Sequence, residues 1–302
     1  MHRTLDILDT QRTRITVMDG AMSTALTEYT KAQRLPVCDL LCLRHPEAVA
    51  RIHRAYIDAR AEIICTNTFN ANALVLGQYL PAQEAVDRAA DINRRATDIA
   101  RQCADTVTDR PRPLVAGVIA PTQIALTYTP QSLNDYTSAV AAQITALADS
   151  GVDILLFESL YDGINARAAA DTAAQMHTGI PLIFSATLTL QGILPSGHTL
   201  AEFVEAVTPA HPAAIGLNCC NGLQNFVEHL RRLRQCTTLP VVAYPSAGIP
   251  DVTGTYPDSP EDFEHTARQI ISERLADIFG GCCGTTPQHI AAIRRAAYSV
   301  TI

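Results

Sequence analysis

The sequence lacks the features that would direct a chain into or across a membrane. Its first twenty residues, MHRTLDILDTQRTRITVMDG, contain no apolar core of the kind found in signal peptides. No stretch approaches the run of roughly 18 apolar residues that is needed to span a bilayer. These absences predict a cytoplasmic protein without a membrane segment.

Concentrated positive charge is also missing. The chain carries 23 Lys and Arg against 30 Asp and Glu, which gives a formal net charge of -7 and a pI near 5.7. The arginines are scattered along helical patterns and form no patch, so little in the chain would attract a phosphate backbone. We therefore expect no nucleic-acid partner.

Aromatic side chains are scarce: they make up 5% of the residues, and there is no tryptophan. A cage for a cationic ligand needs aromatic faces or carboxylates close to the cation. The candidates near the ends of predicted strands are Tyr128, Tyr161 and Tyr244. The sequence therefore gives weak support for a cation-binding cage.

No GxGxxG motif follows the first apolar run, which weakens a dinucleotide-binding interpretation. The chain instead contains eight short, apolar, β-branched runs separated by longer segments with helical periodicity. The predicted strands are residues 15–21, 62–69, 114–121, 154–159, 182–188, 214–220, 241–247 and 277–283. Near-continuous apolar strands alternating with helices favour an α/β fold, a closed parallel (β/α)8 TIM barrel, with residues 1–302 as a single domain.

Some helix ends can be predicted as well. The segment SLNDYTSAVAAQITALADSG opens with Ser132, which can cap a helix, and closes with Gly151, which can end one. The segment PEAVARIHRAYIDARA has the same helical periodicity between the first two predicted strands.

Polar side chains occupy the last positions of several predicted strands. They are Asp19, Thr66, Asn67, Glu158, Asn218, Cys219 and Cys283. In a TIM barrel the carboxyl ends of all eight strands meet on one face, and that face carries the active site. The fold assignment therefore predicts that these residues gather at one mouth.

The chain has nine cysteines, and without a secretion signal a disulfide framework is not expected. Cys65 and Cys103 stand among apolar neighbours, where a thiol behaves as a small hydrophobe. Ligand spacing is also absent around Cys38, Cys42 and Cys236. Two adjacent pairs remain to be explained, Cys219 with Cys220 and Cys282 with Cys283.

These pairs end the sixth and eighth predicted strands, which a barrel separates by one neighbour. Thiolates from both ends could bind one zinc ion and leave a fourth tetrahedral position open, as in catalytic zinc sites. Copper(I) and iron–sulfur clusters also take cysteine sulfur. Because no CxxC motif is present, the spacing alone leaves open ordinary buried thiols or a redox pair.

Four motifs make the chain similar to a known family. GGCCGTTPQHI at 280–290, IGLNC at 215–219, VMDGAMSTAL at 17–26 and TNTFNANAL at 66–74 closely resemble the homocysteine S-methyltransferases. Further segments, including GILPSGHTLAEF and AYPSAGIPDVTGTYPDSPEDF, look like the homocysteine-binding barrel of cobalamin-dependent methionine synthase. This resemblance implies methyl transfer to L-homocysteine, with Cys219, Cys282 and Cys283 as zinc ligands. Cys220 is then assigned to packing beside the site.

The resemblance also implies how the substrate is held. Asp19 and Glu158 match the acidic partners of the amino group, and the backbone N–H groups of Gly20 and Ala21 could receive the carboxylate. Asp19 could instead cap the helix that follows it, whereas Glu158, placed after ILLF, is costly to bury without a partner.

Thr66 and Asn67 are expected to line the same pocket, or otherwise to hydrogen-bond at the barrel rim. Three positions depart from the family pattern: Cys65 stands where an acidic residue is common, Ser246 where methionine synthases commonly have Asn, and Ser159 where betaine-dependent members have Tyr. Betaine is therefore a less favoured donor.

The histidines have no partner at ligand spacing, so structural or surface roles are expected for His53, His198, His211 and His289. The Gly-rich GGCCGTT segment could be taken for a barrel phosphate site, but its paired thiols favour a metal.

The methyl donor stays open at this level. One interpretation is methylcobalamin, formed from 5-methyltetrahydrofolate and supplied by a separate protein, because the segments quoted above resemble methionine synthase. The alternative is a free-standing enzyme that uses S-methylmethionine or S-adenosylmethionine. A third possibility is a non-catalytic zinc or thiol sensor, against which Asp19 and Glu158 count, since a sensor needs no amino-acid pocket.

Overall fold

The computed structural model describes residues 14–122 and 130–299. It contains eight strands, which are β1 (Thr16–Val17), β2 (Ile63–Cys65), β3 (Leu114–Ile119), β4 (Ile154–Leu160), β5 (Leu182–Ala186), β6 (Ala214–Cys219), β7 (Val241–Pro245) and β8 (Ile278–Phe279). All neighbours are parallel, in the order β1-β8-β7-β6-β5-β4-β3-β2. A parallel bridge between Met18 and Ile63 joins the two end strands. The predicted TIM barrel is confirmed.

Helices follow the strands on the outside of the barrel. The α-helices span Thr27–Ala32, Leu41–Arg44, Pro46–Asp58, Ala73–Leu76, Ala82–Asp105, Pro130–Asp149, Gly163–Met176, Leu200–Val207, Phe226–Cys236, Pro260–Ser272 and Pro287–Ser299, with short 3-10 turns at Cys38–Leu40 and Thr208–Ala210. Among the helices that the structure describes, none is long and apolar enough to cross a bilayer.

The helix predicted to start at Ser132 in fact begins at Pro130, so Ser132 is not its cap. Pro130 is well suited to the first turn because its fixed φ matches the helix and that position needs no N–H. The predicted end is confirmed, since Gly151 adopts a φ of +82° just after the helix.

Apolar side chains form two layers, one inside the barrel and one between strands and helices. Along β4, Ile154 and Leu156 belong to the inner layer, while Leu155 and Phe157 belong to the outer layer. The alternation of a strand then points Glu158 into the barrel at its carboxyl end. The same alternation on β6 directs Asn218 inward.

Strands β1, β2 and β8 are much shorter than the sequence predicted. Beyond their ends the chains still pair: the Gly281 N–H donates to the Asp19 carbonyl at 3.0 Å, and the Gly280 N–H to the Ala243 carbonyl at 2.9 Å. A Cβ added at Gly280 would lie 2.7 Å from the Asp19 oxygen. The strands therefore end early because their last residues leave strand geometry at the barrel mouth.

Candidate metal centre and active site

Three cysteine sulfurs meet at the carboxyl ends of β6 and β8. The Sγ atoms of Cys219 and Cys282 are 2.9 Å apart, those of Cys282 and Cys283 are 3.9 Å apart, and all three lie within 4.8 Å of one another. A tetrahedral zinc with Zn–S bonds of about 2.3 Å would space its sulfurs about 3.8 Å apart. The cluster fits such an ion once Cys219 and Cys282 separate by about 1 Å. Each of the three side chains is buried or mostly buried.

Cys219 reaches this cluster because the backbone leaves strand geometry there. Simple alternation after Asn218 would turn the Cys219 side chain outward. Instead Cys219, Cys220 and Asn221 adopt φ angles of 58°, 51° and 61°. Left-handed backbone is uncommon for residues other than glycine and concentrates at functional sites. The run turns Cys219 inward, where it packs against the inner layer.

The end of β7 lies between the two cysteine-bearing strands and holds both. The Ser246 N–H donates to the Cys219 carbonyl at 3.1 Å, and the Ala247 N–H donates to the Cys283 carbonyl at 2.8 Å. The Cys282 N–H in turn donates to the Pro245 carbonyl at 2.8 Å. These bonds fix the sulfurs from two strands at one place, as the one-strand separation predicted.

Cys220 lies outside the sulfur cluster, as the sequence predicted. Its side chain is buried in the outer layer, where its Sγ accepts the Leu188 N–H at 3.3 Å and donates to the Asn218 carbonyl at 3.2 Å. Its thiol is therefore held by the scaffold.

A buried carboxylate, Glu158, lies beside the sulfurs, and a second one, Asp19, interacts with it. The Cys282 thiol is 3.8 Å from Glu158 Oε1, and the Cys65 N–H donates to Asp19 Oδ2 at 2.8 Å. Burial raises the pKa of Glu158 to about 8, with further contributions from the negative charges of Cys283 and Asp19. Burial also raises the pKa of Asp19 to about 7, although the Cys65 N–H opposes the rise. Such a pair favours a bound cation.

The three sulfurs influence one another electrostatically. Contact with Cys219 and Cys282 lowers the pKa of the Cys283 thiol, whereas contact with Cys219, and then with Cys283, raises the pKa of the Cys282 thiol. Three anionic sulfurs at this spacing would repel one another, so a positive ion among them would be stabilising.

Asp19 does not cap a helix. The chain after it runs through a turn, and the first described helix starts at Thr27 with Leu26 before it.

The two backbone N–H groups that were predicted to bind the substrate carboxylate, those of Gly20 and Ala21, differ in the structure. The Ala21 N–H already donates to Thr285 Oγ1 at 3.1 Å, so of this pair the Gly20 N–H is the remaining candidate.

Tyr56 and Thr285 hold the segment after β1 against the GGCC loop, and neither residue was predicted from the sequence. The Tyr56 hydroxyl donates to the Ala21 carbonyl at 2.8 Å and lies 3.2 Å from the Thr285 carbonyl. The Thr285 hydroxyl also donates to the Cys282 carbonyl at 2.7 Å. Tyr56 is 35 residues from Ala21 and 229 from Thr285 along the chain, so only the fold could reveal the contact.

Thr66 and Asn67 are buried, but their polar atoms are engaged by the scaffold. Thr66 Oγ1 lies 2.7 Å from Thr68 Oγ1 and accepts the Val118 N–H at 3.0 Å. Asn67 Nδ2 donates to the Cys38 carbonyl at 3.1 Å and approaches the Cys42 sulfur at 3.5 Å. These contacts match the alternative of hydrogen bonding at the rim, and substrate contact by either residue stays a prediction.

Tyr256 is an aromatic side chain at the mouth that the sequence did not single out. Gly284 adopts a φ of +79°, and a Cβ placed on it would lie 2.1 Å from the Tyr256 ring. The ring therefore packs directly on the backbone that follows Cys283. Of the tyrosines predicted from the sequence, Tyr161 donates to the Thr122 carbonyl at 3.1 Å, and Tyr244 is buried inside the barrel. Tyr128 lies outside the described residues.

Four of the five backbone amides of the GGCCG segment, residues 280–284, are bonded within the protein. The Gly281 N–H donates to Asp19, the Cys282 N–H to Pro245, and the Gly284 N–H to Thr24 Oγ1 at 3.1 Å. A phosphate would have to displace these bonds, so the metal interpretation is the better one. His289, close by, has a structural role: its Nδ1 accepts the Thr286 N–H at 3.1 Å, and its Nε2 lies 3.0 Å from the Asp258 carbonyl.

Comparisons with known proteins identify the family of the chain. The family described as homocysteine S-methyltransferase matches residues 16–297. The homocysteine methyltransferase MmuM from Escherichia coli has a similar structure in its metallated form (TM-score 0.74) and its apo form (0.75), at 23% identity, over 97% of this chain and 99% of that one. The carboxyl transferase domain of Rhizobium etli pyruvate carboxylase shares the barrel alone, with a TM-score of 0.54 at 12% identity, over 99% of this chain and 51% of that one.

At these identities the solved structures support the fold, while the family match covers nearly the whole chain and includes every residue of the sulfur cluster and the two carboxylates. The chain is therefore a methyltransferase, and it belongs to the homocysteine S-methyltransferase family.

Proposed function

We propose that the protein forms methionine by transferring a methyl group to the sulfur of L-homocysteine at a zinc ion held by Cys219, Cys282 and Cys283. The observation that carries the proposal is the convergence of three sulfurs beside two buried carboxylates at the barrel mouth. Sulfur-rich ligation favours zinc among the common metals, and three protein ligands leave a position for the substrate. Zinc bound there would supply a deprotonated, nucleophilic substrate sulfur near neutral pH.

The chain's own groups supply the rest of the binding site. Asp19 and Glu158 would hold the substrate ammonium, because a cation relieves the cost of keeping two carboxylates charged in a buried place. The Gly20 N–H is the proposed donor to the substrate carboxylate. Holding both ends of the amino acid would place its sulfur in line with the incoming methyl carbon. In the transfer, a sulfur–carbon bond forms, and the bond between methyl and donor breaks with its electron pair left on the donor.

The metal assignment has a direct test. Purified protein is expected to bind about one zinc per chain, because three sulfurs form one cluster. Cys282→Ala or Cys283→Ala should abolish zinc binding, whereas Cys220→Ala, a matched change one residue from Cys219 but in the outer layer, should not. Elemental analysis after dialysis measures the zinc content. Full zinc retention in the Cys282→Ala, Cys283→Ala double variant would overturn the assignment.

For the methyl donor we propose methylcobalamin, formed from 5-methyltetrahydrofolate and carried by a separate protein. Six of the nine exposed large apolar side chains of the described residues follow β3, β4, β5 and β7 at the carboxyl face: Leu133, Ile164, Leu190, Ile193, Ile249 and Val252. An apolar rim around an active-site mouth suits contact with a macromolecule.

A small sulfonium donor is the second candidate, and one observation favours it. Tyr256 offers one aromatic face beside the cysteines. Tyr161 and Tyr244 do not complete a cage, because one hydroxyl is bonded to Thr122 and the other side chain is buried in the barrel.

A further inference from the structure

The Asn218 side chain connects the sulfur cluster to two strands that carry no cysteine ligand. It is fully buried at the end of β6. Its Oδ1 accepts the Ser159 backbone N–H at 3.0 Å and the Ser185 hydroxyl at 2.8 Å. Its Nδ2 donates to Ser159 Oγ at 2.6 Å and to the Cys219 sulfur at 3.5 Å, with the Cys282 sulfur 4.0 Å away.

This network determines which way the amide faces. A backbone N–H can only donate, so the atom of Asn218 that meets the Ser159 N–H must be the oxygen. The NH₂ group is then forced towards the sulfurs. Ser159 itself adopts a φ of 60°, a left-handed conformation that is uncommon for serine. Uncommon backbone conformations on both sides, at Ser159 and Cys219, therefore bring this one amide to the cluster.

We infer that Asn218 is a positioning residue for the metal centre, and that its N–H···S hydrogen bonds hold Cys219 in place and disperse negative charge from the ligand sulfurs. The inference rests on the proposed metal site. An amide is suited to this task because it donates hydrogen bonds without adding charge. A cationic donor would neutralise the sulfurs and weaken the electron donation that keeps a bound substrate thiolate reactive. Groups that contact metal ligands in this way commonly tune both affinity and electronic structure.

A single isosteric change separates the two halves of the amide. In Asn218→Asp, one carboxylate oxygen can still accept from the Ser159 N–H and the Ser185 hydroxyl, and the Ser159 hydroxyl can rotate to donate. The N–H groups that face sulfur are removed, and a carboxylate takes their place. Asn218→Leu, which has a similar shape and no charge, removes the N–H groups without adding that charge and should move the cobalt bands described below in the same direction. Ser185→Ala is the matched control, because it removes a bond to Oδ1 and leaves the NH₂ group in place.

The test uses the full chain with Co²⁺ in place of zinc, since the sulfur-to-cobalt charge-transfer bands report the electron density on the ligand sulfurs. In Asn218→Asp these bands should move to longer wavelength, because unbonded thiolates give up charge more easily. In Asn218→Ala, cobalt affinity measured by chelator competition should fall by about tenfold or more. Ser185→Ala should leave the bands unmoved. Identical bands in Asn218→Asp and the unmodified protein would overturn the inference.

A second measurement needs no variant. In protein loaded with ¹¹³Cd and labelled with ¹⁵N at asparagine, one side-chain amide proton should be coupled to cadmium through the N–H···S bond. Absence of any cadmium-coupled asparagine amide would equally overturn the role of Asn218. Failure of the proposed zinc site and failure of the proposed Asn218 role give different results. If the unmodified protein binds neither metal, the proposed zinc site is wrong; if it binds both without these signatures, only the role of Asn218 is wrong.

Discussion

At the scale of single residues, Asp19 and Glu158 lower the stability of the metal-free fold when they are charged, and in the proposed function the same charges bind the substrate ammonium. Both have raised pKa values, about 7 and about 8, so keeping either carboxylate charged in the folded chain costs free energy. A carboxyl group whose pKa is raised in the folded state stabilises most fully below its unfolded pKa, and that stability is lost as pH rises through the folded value. The metal-free protein should therefore lose stability between about pH 4 and pH 8 because of this pair.

Replacing these carboxylates should affect substrate and stability in opposite directions. Asp19→Asn and Glu158→Gln should each weaken homocysteine binding by roughly 2 to 4 kcal/mol, because an ammonium in a partly dry site loses a charged partner. Zinc content should not change. In the metal-free protein at pH 8, each variant should unfold at a higher temperature. Calorimetric titration with homocysteine and a thermal scan measure the two effects.

Asp153→Asn is the control for this pair, because Asp153 lies just before β4, at its amino end, and pairs with Arg101 at 2.9 Å, far from the mouth. It should leave homocysteine affinity unchanged. Unaltered affinity in both Asp19→Asn and Glu158→Gln would remove these carboxylates from the substrate site.

At the scale of strands and helices, the sequence predicted the positions of elements better than their ends. The eight apolar runs all became strands because period and composition determine where a chain can pair on both sides. Their carboxyl ends were overestimated in β1, β2 and β8, where the residues after Val17, Cys65 and Phe279 still pair with neighbours but leave strand geometry. Composition alone does not show where pairing continues without strand geometry.

The same scale explains which site residues could be predicted. Cys282 and Glu158 point into the barrel, as the two-residue alternation of their strands predicts, so the alternation and the family motif indicate the same residues. Cys219 lies against the alternation and reaches the cluster only through a left-handed backbone at non-glycine residues, which no propensity would suggest. Tyr56 contributes through contacts with segments distant in sequence, which a single chain without its fold cannot reveal.

The helix Pro46–Asp58 carries a buried titratable group outside the active site. Both ring nitrogens of His53 are buried without a hydrogen-bond partner among the described residues, and burial, with a smaller effect from Arg54, lowers the pKa of His53 from 6.5 to about 4. An unfolded chain binds this proton at higher pH than the folded one. The stability that depends on neutral His53 is therefore present above pH 6.5 and is lost as pH falls to 4.

Asp19 and Glu158 change the stability in the opposite direction over that pH range. The contribution of His53 is therefore obtained as the difference between the unmodified protein and His53→Phe, which share both carboxylates. Relative to His53→Phe, the unmodified protein should lose up to about 3 kcal/mol of unfolding free energy between pH 6.5 and pH 4. Urea unfolding at a series of pH values gives this difference. His265→Phe, on an exposed helix surface, should show no such dependence. If the difference in unfolding free energy between the unmodified protein and His53→Phe did not change with pH, the proposed effect of burying His53 would be wrong.

At the scale of the whole molecule, the two ends of the barrel differ in what they carry. The two apolar layers are closed around the strands, and ion pairs such as Arg14–Glu62 and Arg234–Asp277 lie before β1 and at the start of β8, at the amino end of the barrel. The carboxyl face instead carries the sulfur cluster and exposes apolar side chains, with Ile249 at 61% and Val252 fully exposed in the segment after β7. In the proposed function, both the substrate and the donor meet at this mouth.

The proposed donor rests on what surrounds that mouth. A sulfonium enzyme must hold a small cation in line with the substrate sulfur, and Tyr256 packs one aromatic face on the cysteine-bearing loop. A methylcobalamin enzyme needs only an open approach and a surface for its carrier. We therefore expect zinc-loaded protein to form methionine faster from free methylcobalamin than from S-methylmethionine at matched concentrations, with Cys282→Ala as the inactive control and mass spectrometry of methionine as the measurement. The opposite ranking by about tenfold, or about 1.4 kcal/mol in the barrier, would show that the sulfonium is the donor, and loss of that activity in Tyr256→Leu would identify the ring that binds it.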